Sequence, residues 1–271
     1  MIRIFFVFLS FLPLLPLLTK GAQAIETRNA QLMARLVAAY PDFLKAYKDN
    51  HLIWKDGTSQ LFDDGKGRKR FKRLLNEPDL EDQFYVPYQR GEQGLAPARN
   101  SDPGRVRVPA FFNKIYGDCK KGEVAAHLTT IRWLPRHGGQ KLRVTRVNHV
   151  AQQLQKLSNE LDQLLDHRPQ LKKFLYPASG TYNCRVIAGT KRYSMHAYGA
   201  AIDLNVKQAH YWRWTKPNRK GLYRWRNKIP LEIVRIFERH GFIWGGKWYH
   251  YDTMHFEYRP ELLAGFLIKK R

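Results

Sequence analysis

Residues 193–206 read Tyr-Ser-Met-His-Ala-Tyr-Gly-Ala-Ala-Ile-Asp-Leu-Asn-Val, a pattern that predicts a turn followed by a β-strand. Side chains alternate between the two faces of a strand, so Asp203 lies opposite the apolar Ile202 and Leu204. His196 arrives from the preceding turn, and the small alanine two residues before Asp203 leaves room beside the carboxylate. An imidazole and a carboxylate in this arrangement supply half of a metal-binding set.

A second stretch, residues 249–258, supplies the other half of this set. It reads Tyr-His-Tyr-Asp-Thr-Met-His-Phe-Glu-Tyr, in which alternation places His255 and Glu257 opposite an apolar face. Asp252 precedes His255 by three residues, and a straight strand would carry it about 10 Å away on the opposite face. We therefore predict a bend at residues 252–253, because Asp and Thr both favour turns.

The combined pattern predicts a zinc site. His196, Asp203 and His255 are the predicted ligands of Zn²⁺, and Asp252 is the predicted general base. Two imidazoles and one carboxylate leave the fourth position of a tetrahedral zinc ion open for water, which is typical of a catalytic rather than a structural site. A single histidine beside aromatic residues is more often packed or solvated, so the prediction depends on the joint spacing of all four residues.

The same residues resemble a known family. Ser-x-His-x-x-Gly-x-Ala-x-Asp, followed about fifty residues later by Trp-x-x-x-Asp-x-x-His-Phe-Glu, is similar to the zinc D-alanyl-D-alanine carboxypeptidase family, which includes VanY-type carboxypeptidases and phage L-alanyl-D-glutamate endolysin peptidases. The resemblance is strongest over residues 180–262. It implies the same three ligands, Asp252 as the base, and an α+β fold of the LAS zinc peptidase type, in which helices pack against a small antiparallel sheet that carries the zinc site.

The resemblance also implies a reaction. It is the hydrolysis of peptidoglycan stem peptides by attack of zinc-bound water, of the D-Ala-D-Ala carboxypeptidase or the L-Ala-D-Glu endopeptidase type. The motifs do not decide which bond is cut. The alternative is a non-catalytic cell-wall-binding protein on a zinc peptidase scaffold. Nucleic-acid binding, suggested by Trp212, Trp214 and Trp225 among basic residues, is disfavoured by the predicted export described below.

Three further side chains are candidates for the site. Arg185 matches an arginine that the family carries upstream of the first ligand, and its guanidinium could bind a substrate carboxylate or the developing oxyanion; a surface ion pair is the alternative. Ser194 is predicted to orient substrate or a ligand, unless it is only a turn hydroxyl. His250 is a candidate second proton carrier or transition-state donor near the metal. Glu257 is expected to support the site rather than to bind zinc.

Residues 1–24 predict a secretory signal peptide. The apolar run at residues 4–18 is too short to cross a bilayer, since 15 residues span roughly 22 Å as a helix against roughly 30 Å of hydrocarbon. Ala-Gln-Ala at residues 22–24 supplies the cleavage pattern, and an uncleaved anchor is the alternative. We therefore expect an exported protein, periplasmic or associated with the cell envelope, without a transmembrane anchor after cleavage.

Charge and cysteine content agree with export. The chain of 271 residues has 47 Lys and Arg against 23 Asp and Glu, a net charge of +24, which favours anionic partners such as envelope polymers and stem peptides. Its 44% hydrophobic residues are enough for a core and exclude wholesale disorder.

Cys119 and Cys184 are the only cysteines, and in an exported chain we expect a disulfide between them; two separate thiols are the alternative.

The mature chain divides into two predicted regions. Residues 25–110 form a basic, mainly helical accessory region, and residues 111–271 form the catalytic domain, with the boundary in a stretch rich in proline and glycine. The predicted elements are helices at 28–47, 147–165 and from Pro230 to Gly241, a hairpin around Asp56-Gly57, and strands at 182–188, 199–206 and 254–258. Helices and strands without βαβ regularity indicate an α+β fold.

Overall fold

The computed structural model describes residues 20–91, 96–187, 190 and 192–263. Its helices are α1 (Lys20–Ala39), α2 (Phe71–Asn76), α3 (Pro109–Tyr116), α4 (Val150–His167), α5 (Lys172–Leu175) and α6 (Leu231–Arg239). Its strands are β1 (Leu44–Lys48), β2 (His51–Trp54), β3 (Ser59–Leu61), β4 (Leu128–Trp133), β5 (Gln140–Thr145), β6 (Ala201–Asp203), β7 (Phe242–Trp244) and β8 (His255–Tyr258). The strands form three small antiparallel sheets, so the fold is α+β.

The N-terminal region contains a helix and the first sheet. Strands β1, β2 and β3 pair in that order, and the predicted hairpin is confirmed, with Gly57 at φ +83° in its turn. The predicted helix at 28–47 is wrong beyond Ala39, because Pro41 disfavours helical backbone at Tyr40 and the chain turns there into β1. The region expected to be mainly helical therefore also holds a three-stranded sheet. Residues 1–19 of the predicted signal peptide lie outside the described residues.

The middle of the chain forms a β-hairpin that packs on a long helix. The helix predicted at 147–165 is confirmed as α4, which buries Leu154, Leu157 and Leu161 on one face. Strands β4 and β5 pair antiparallel and contact α4. The sequence prediction missed this hairpin, although Leu142 and Val144 alternate with polar residues along β5.

The third sheet has the strand order β6-β8-β7 and carries the candidate site. Antiparallel register places Asp203 directly opposite His255. The strand predicted at 254–258 is confirmed as β8, and the strand predicted at 199–206 is shorter, at Ala201–Asp203. The described part of 182–188 contains only one isolated bridge and no strand, and β7 was not predicted. The helix predicted after Pro230 is confirmed as α6.

One hydrophobic core joins the N-terminal region to the rest of the protein. Tyr40, directly after α1, contacts Phe111 of α3 edge to face, with ring centroids 5.2 Å apart. The Tyr40 hydroxyl also donates a hydrogen bond to buried Glu261 at 2.7 Å, across 221 residues of sequence. These contacts hold the N-terminal region against the end of the third sheet. Within the described ranges, no helix combines the length and the apolar character needed to cross a bilayer.

Candidate metal centre and active site

The structure brings the three predicted ligands together. His196 Nε2 lies 3.1 Å from Asp203 Oδ1 and 3.1 Å from His255 Nδ1, and His255 Nδ1 lies 3.0 Å from Asp203 Oδ1. Donor atoms about 2.0–2.1 Å from a tetrahedral zinc ion are about 3.3 Å apart, so this triangle has nearly the required size. Two imidazole nitrogens and one carboxylate oxygen are also the donor types that zinc prefers. The residues present fit the ion that the motifs imply.

A short capped turn positions His196. Residues Met195–Tyr198 form a 3₁₀ turn in which the Ser194 hydroxyl accepts a hydrogen bond from the His196 backbone N–H at 3.4 Å. Gly199 ends the turn at φ +65°, where a Cβ would lie 3.0 Å from the Thr145 backbone nitrogen. The serine and the glycine of the motif therefore shape the turn that aims the imidazole. A direct contact between Ser194 and substrate stays a prediction.

Each imidazole is oriented through its second ring nitrogen. His196 Nδ1 hydrogen bonds to the carbonyl oxygen of Thr181, which leaves Nε2 for the metal. His255 Nε2 lies 2.9 Å from Glu257 Oε2, which leaves Nδ1 for the metal. Glu257 is fully buried, and it pairs with Arg107 and, at 3.2 Å, with Arg259. Burial would raise the pKa of Glu257, but Arg107, His255 and Arg259 hold it far below its usual range.

Asp252 lies at the predicted bend with an unpaired oxygen. The carbonyl oxygen of Asp252 accepts a hydrogen bond from the His255 N–H at 3.2 Å, which closes a tight turn. A Cβ on Gly245 would approach the same carbonyl oxygen to 2.6 Å, so the turn requires glycine there. Asp252 Oδ1 is shielded from solvent and has no hydrogen-bond partner among the described residues. Burial and the neighbouring Asp203 raise the pKa of Asp252 to about 7.

His250 is held by a residue that the sequence analysis missed. Its Nδ1 lies 2.6 Å from Asp102 Oδ2, and its backbone N–H donates to Asp102 Oδ1 at 2.9 Å. Asp102 is fully buried and also pairs with Arg105 at 2.9 Å. The His250 ring stacks on Phe71 and meets the edge of Trp212. Asp102 lies in the irregular stretch before Pro-Gly, where its sequence neighbours give no sign of a partner 148 residues away.

Arg185 lies at an exposed edge of the site. The positive charge of Arg185 lowers the pKa of Asp252, so the two side chains are close enough for their charges to interact. The preceding residue, Cys184, is disulfide-bonded to Cys119 with the Cα atoms 5.6 Å apart. The disulfide ties this loop to the segment after α3, and a hydrogen bond from the Ser194 backbone N–H to the Arg185 carbonyl oxygen at 3.3 Å ties it to the turn that carries His196.

Comparison with known proteins agrees with this geometry. Residues 188–258 match the family model described as D-alanyl-D-alanine carboxypeptidase. The resemblance to that family is confirmed. The match indicates a metallopeptidase that acts on peptidoglycan. No curated protein and no solved structure matches the chain significantly.

The segment that matches the D-alanyl-D-alanine carboxypeptidase model contains the three predicted ligands, Asp252 and His250. Asp102, Arg105 and Arg107, which hold His250 and Glu257, precede it in the chain. The site is therefore assembled from the peptidase segment and from the stretch before α3 that the sequence analysis assigned to a boundary.

Proposed function

We propose that this protein is a zinc metallopeptidase that hydrolyses peptidoglycan stem peptides, as a D-Ala-D-Ala carboxypeptidase or an L-Ala-D-Glu endopeptidase. One observation carries the proposal. The donor atoms of His196, Asp203 and His255 form a triangle, and the charges of Asp203 and His255 act on a buried carboxyl, Asp252. Asp252 Oδ1 has no hydrogen-bond partner in the described part of the protein. Three ligands and a free base are what hydrolysis of an amide bond requires.

His196 Nε2, His255 Nδ1 and Asp203 Oδ1 would hold the zinc ion. When bound, zinc supplies Lewis-acid polarisation of the scissile carbonyl and makes water acidic enough to react near neutral pH. The protein's part is to keep the donor atoms in place. Thr181 and Glu257 do so by engaging the second nitrogen of each imidazole.

Asp252 would move the proton. Its Oδ1 would accept a proton from the attacking water and return it to the amine that leaves. Burial and the neighbouring Asp203 raise the pKa of this carboxyl, which makes it a stronger base than an ordinary aspartate. The backbone turn at Asp252 and the close approach of Gly245 fix where that oxygen lies.

Arg185 and His250 would act on the substrate. The exposed guanidinium of Arg185 is available to a substrate carboxylate or to the oxyanion that develops at the carbonyl. His250 Nδ1 would donate its hydrogen to Asp102, which leaves Nε2 as the ring nitrogen that would carry a proton.

The test is digestion of purified peptidoglycan by the zinc-loaded protein, followed by mass spectrometry of the muropeptides. Loss of a single D-Ala would identify a carboxypeptidase, and release of stem peptide beginning at D-Glu would identify an endopeptidase. Chelation should abolish the products and zinc should restore them. Asp252→Asn should retain zinc by elemental analysis and lose activity. If the zinc-loaded wild-type protein releases no product, the enzyme proposal is refuted and a non-catalytic wall-binding role is favoured.

We also propose that the protein is exported to the periplasm or cell envelope. The signal-peptide pattern at residues 1–24 supports this, as does the Cys119–Cys184 disulfide, since such bonds persist in oxidising compartments. Intact-mass measurement of the protein from the envelope fraction tests the proposal. A mass corresponding to residues 25–271 is expected, whereas a full-length protein in the cytoplasm would refute export.

A further inference from the structure

Aromatic rings and one carboxylate surround the His250 imidazole. Asp102 Oδ2 lies 2.6 Å from its Nδ1, and the rings of Trp212 and Tyr249 meet it at steep angles of 73° and 87°. The ring of Phe71 instead stacks on the imidazole, with the planes 10° apart and the centroids 5.5 Å apart. No other ring in the described part of the chain lies nearly parallel to it. A hydrogen bond at Nδ1 fixes that nitrogen but not the plane of the ring, whereas a stacked neighbour restrains the plane directly.

Phe71 belongs to the N-terminal region and not to the peptidase segment. It is the first residue of α2, and the match to the D-alanyl-D-alanine carboxypeptidase model begins only at residue 188. Its side chain is half-buried and lies outside the hydrophobic core. It lines a cavity of about 860 Å³ whose wall also includes Ser101, the neighbour of Asp102. Packing of the core therefore does not account for an aromatic ring at this position.

A buried ion cluster holds the start of α2 in place. The ammonium group of Lys69, two residues before Phe71, is buried and pairs with Asp64 at 3.2 Å, Asp79 at 3.1 Å and Asp82 at 2.5 Å. Separating a buried charge from its partners is costly, so the cluster resists movement of this segment. The Phe71 ring is therefore presented to His250 from an anchored backbone.

We propose that Phe71 is a positioning residue of the active site, which holds the plane of the His250 imidazole so that Nε2 keeps one direction. This inference rests on the proposed function, in which His250 carries a proton. Proton transfer requires the two heavy atoms to lie within hydrogen-bond reach, and a misplacement of about 1 Å can slow a reaction about 10²-fold. The N-terminal region, predicted as an accessory, thereby contributes to the reaction.

The test measures turnover of a synthetic stem pentapeptide by the zinc-loaded protein and two variants. Phe71→Leu keeps an apolar side chain but removes the planar ring. It should lower kcat about tenfold with little change in KM, because a misdirected proton carrier slows the chemical step without weakening substrate binding. Phe71→Tyr keeps the ring and should retain the wild-type kcat. Wild-type kcat in Phe71→Leu, or an equal loss in both variants, would overturn the proposal.

A double-mutant cycle shows whether Phe71 acts through His250. His250→Gln removes the proton carrier, so adding Phe71→Leu to it should change kcat by less than about twofold. A merely structural role would lower kcat by the same factor with and without His250, and that result would overturn the proposal.

Phe43→Leu is the matched control. Phe43 is a half-buried phenylalanine of the same region, and it packs against the hydrophobic core. Its replacement should lower the Tm at least as much as Phe71→Leu does, and it should leave kcat and KM unchanged. If Phe43→Leu lost as much kcat as Phe71→Leu, general destabilisation would explain both and the positioning role would fail.

An NMR measurement makes the test independent of turnover. In protein with isotope labels in its histidine rings, the His250 signals are identified by their absence from His250→Gln. They should move and broaden in Phe71→Leu, as the ring samples more than one orientation, and keep the wild-type line width in Phe71→Tyr. If the wild type releases no product but these signals respond as expected, Phe71 orients the ring although the proposed enzyme activity fails. If the signals are unchanged in Phe71→Leu while hydrolysis proceeds normally, the positioning role fails alone.

Discussion

Replacing Glu257 with glutamine should weaken both the fold and the metal site. The Glu257 carboxylate is fully buried and accepts hydrogen bonds from Arg107, from His255 Nε2 at 2.9 Å and from Arg259 at 3.2 Å. Glutamine retains the size of the side chain, but it removes the negative charge and turns one acceptor into a donor. Two buried arginines and an imidazole then share a single neutral oxygen.

The expected loss can be worked from this network. Breaking a buried ion pair by removing one partner costs about 3–5 kcal/mol. At about 2–4 °C per kcal/mol for a protein of this size, the Tm should fall by about 6–20 °C. Because Glu257 orients the His255 ring, zinc affinity should also fall about 10–100-fold.

The effect should depend on pH. The paired Glu257 carboxyl has a folded-state pKa far below its usual range, so its contribution to stability is complete above the unfolded value of about 4.3 and is lost as pH falls toward the folded value. Glu257→Gln should lack this component, and its stability should differ least from that of the wild type in strong acid.

Differential scanning calorimetry and zinc competition with a chromophoric chelator measure the two effects. The control is Glu77→Gln, since Glu77 forms an exposed i,i+4 pair with Arg73 at 3.2 Å. That change should move the Tm by less than about 2 °C. If Glu257→Gln behaved like this control, with wild-type zinc affinity, the reasoning from the buried network would be refuted.

Three further predictions concern the proton carriers and the disulfide. Asp102→Asn should lower kcat about 10²-fold with zinc retained, like His250→Gln, because Asp102 holds that ring; wild-type turnover of a stem peptide by either variant would contradict this. Burial and a neighbouring carboxylate raise the pKa of Asp252 to about 7, and a bound cation would lower it. The acidic limb of the kcat/KM profile against pH should therefore lie at or below about pH 7. Activity that rises as pH falls would argue against Asp252 as the base. Reduction of Cys119–Cys184, 65 residues apart, should lower the free energy of unfolding by about 2–5 kcal/mol, and coincident urea transitions with and without reductant would be inconsistent with that.

The sequence predicted correctly the helices and the hairpin that depend on residues close together in the chain. The apolar period of α4, the proline and glycine that flank α6, and the Asp-Gly hairpin all involve residues that are near neighbours in sequence. The helix predicted at 28–47 failed because its apolar spacing continues past Pro41, although the backbone there cannot continue as a helix. Strand β7 was missed because it has only three residues, and the β4–β5 hairpin was missed although its two strands are close in the chain and Leu142 and Val144 alternate with polar residues.

The sequence by itself determined which residues could form a zinc site, since alternation along two strands assigns Asp203 and His255 to polar positions and the bend at Asp252 follows from its residue types. Only the tertiary structure decided what surrounds them. Asp102 meets His250 across 148 residues, and Arg107 meets Glu257 across 150. Such pairs produce no periodic pattern in the sequence. The partner of a buried charge is decided by how distant segments pack together, because their separation along the chain does not bring them into contact.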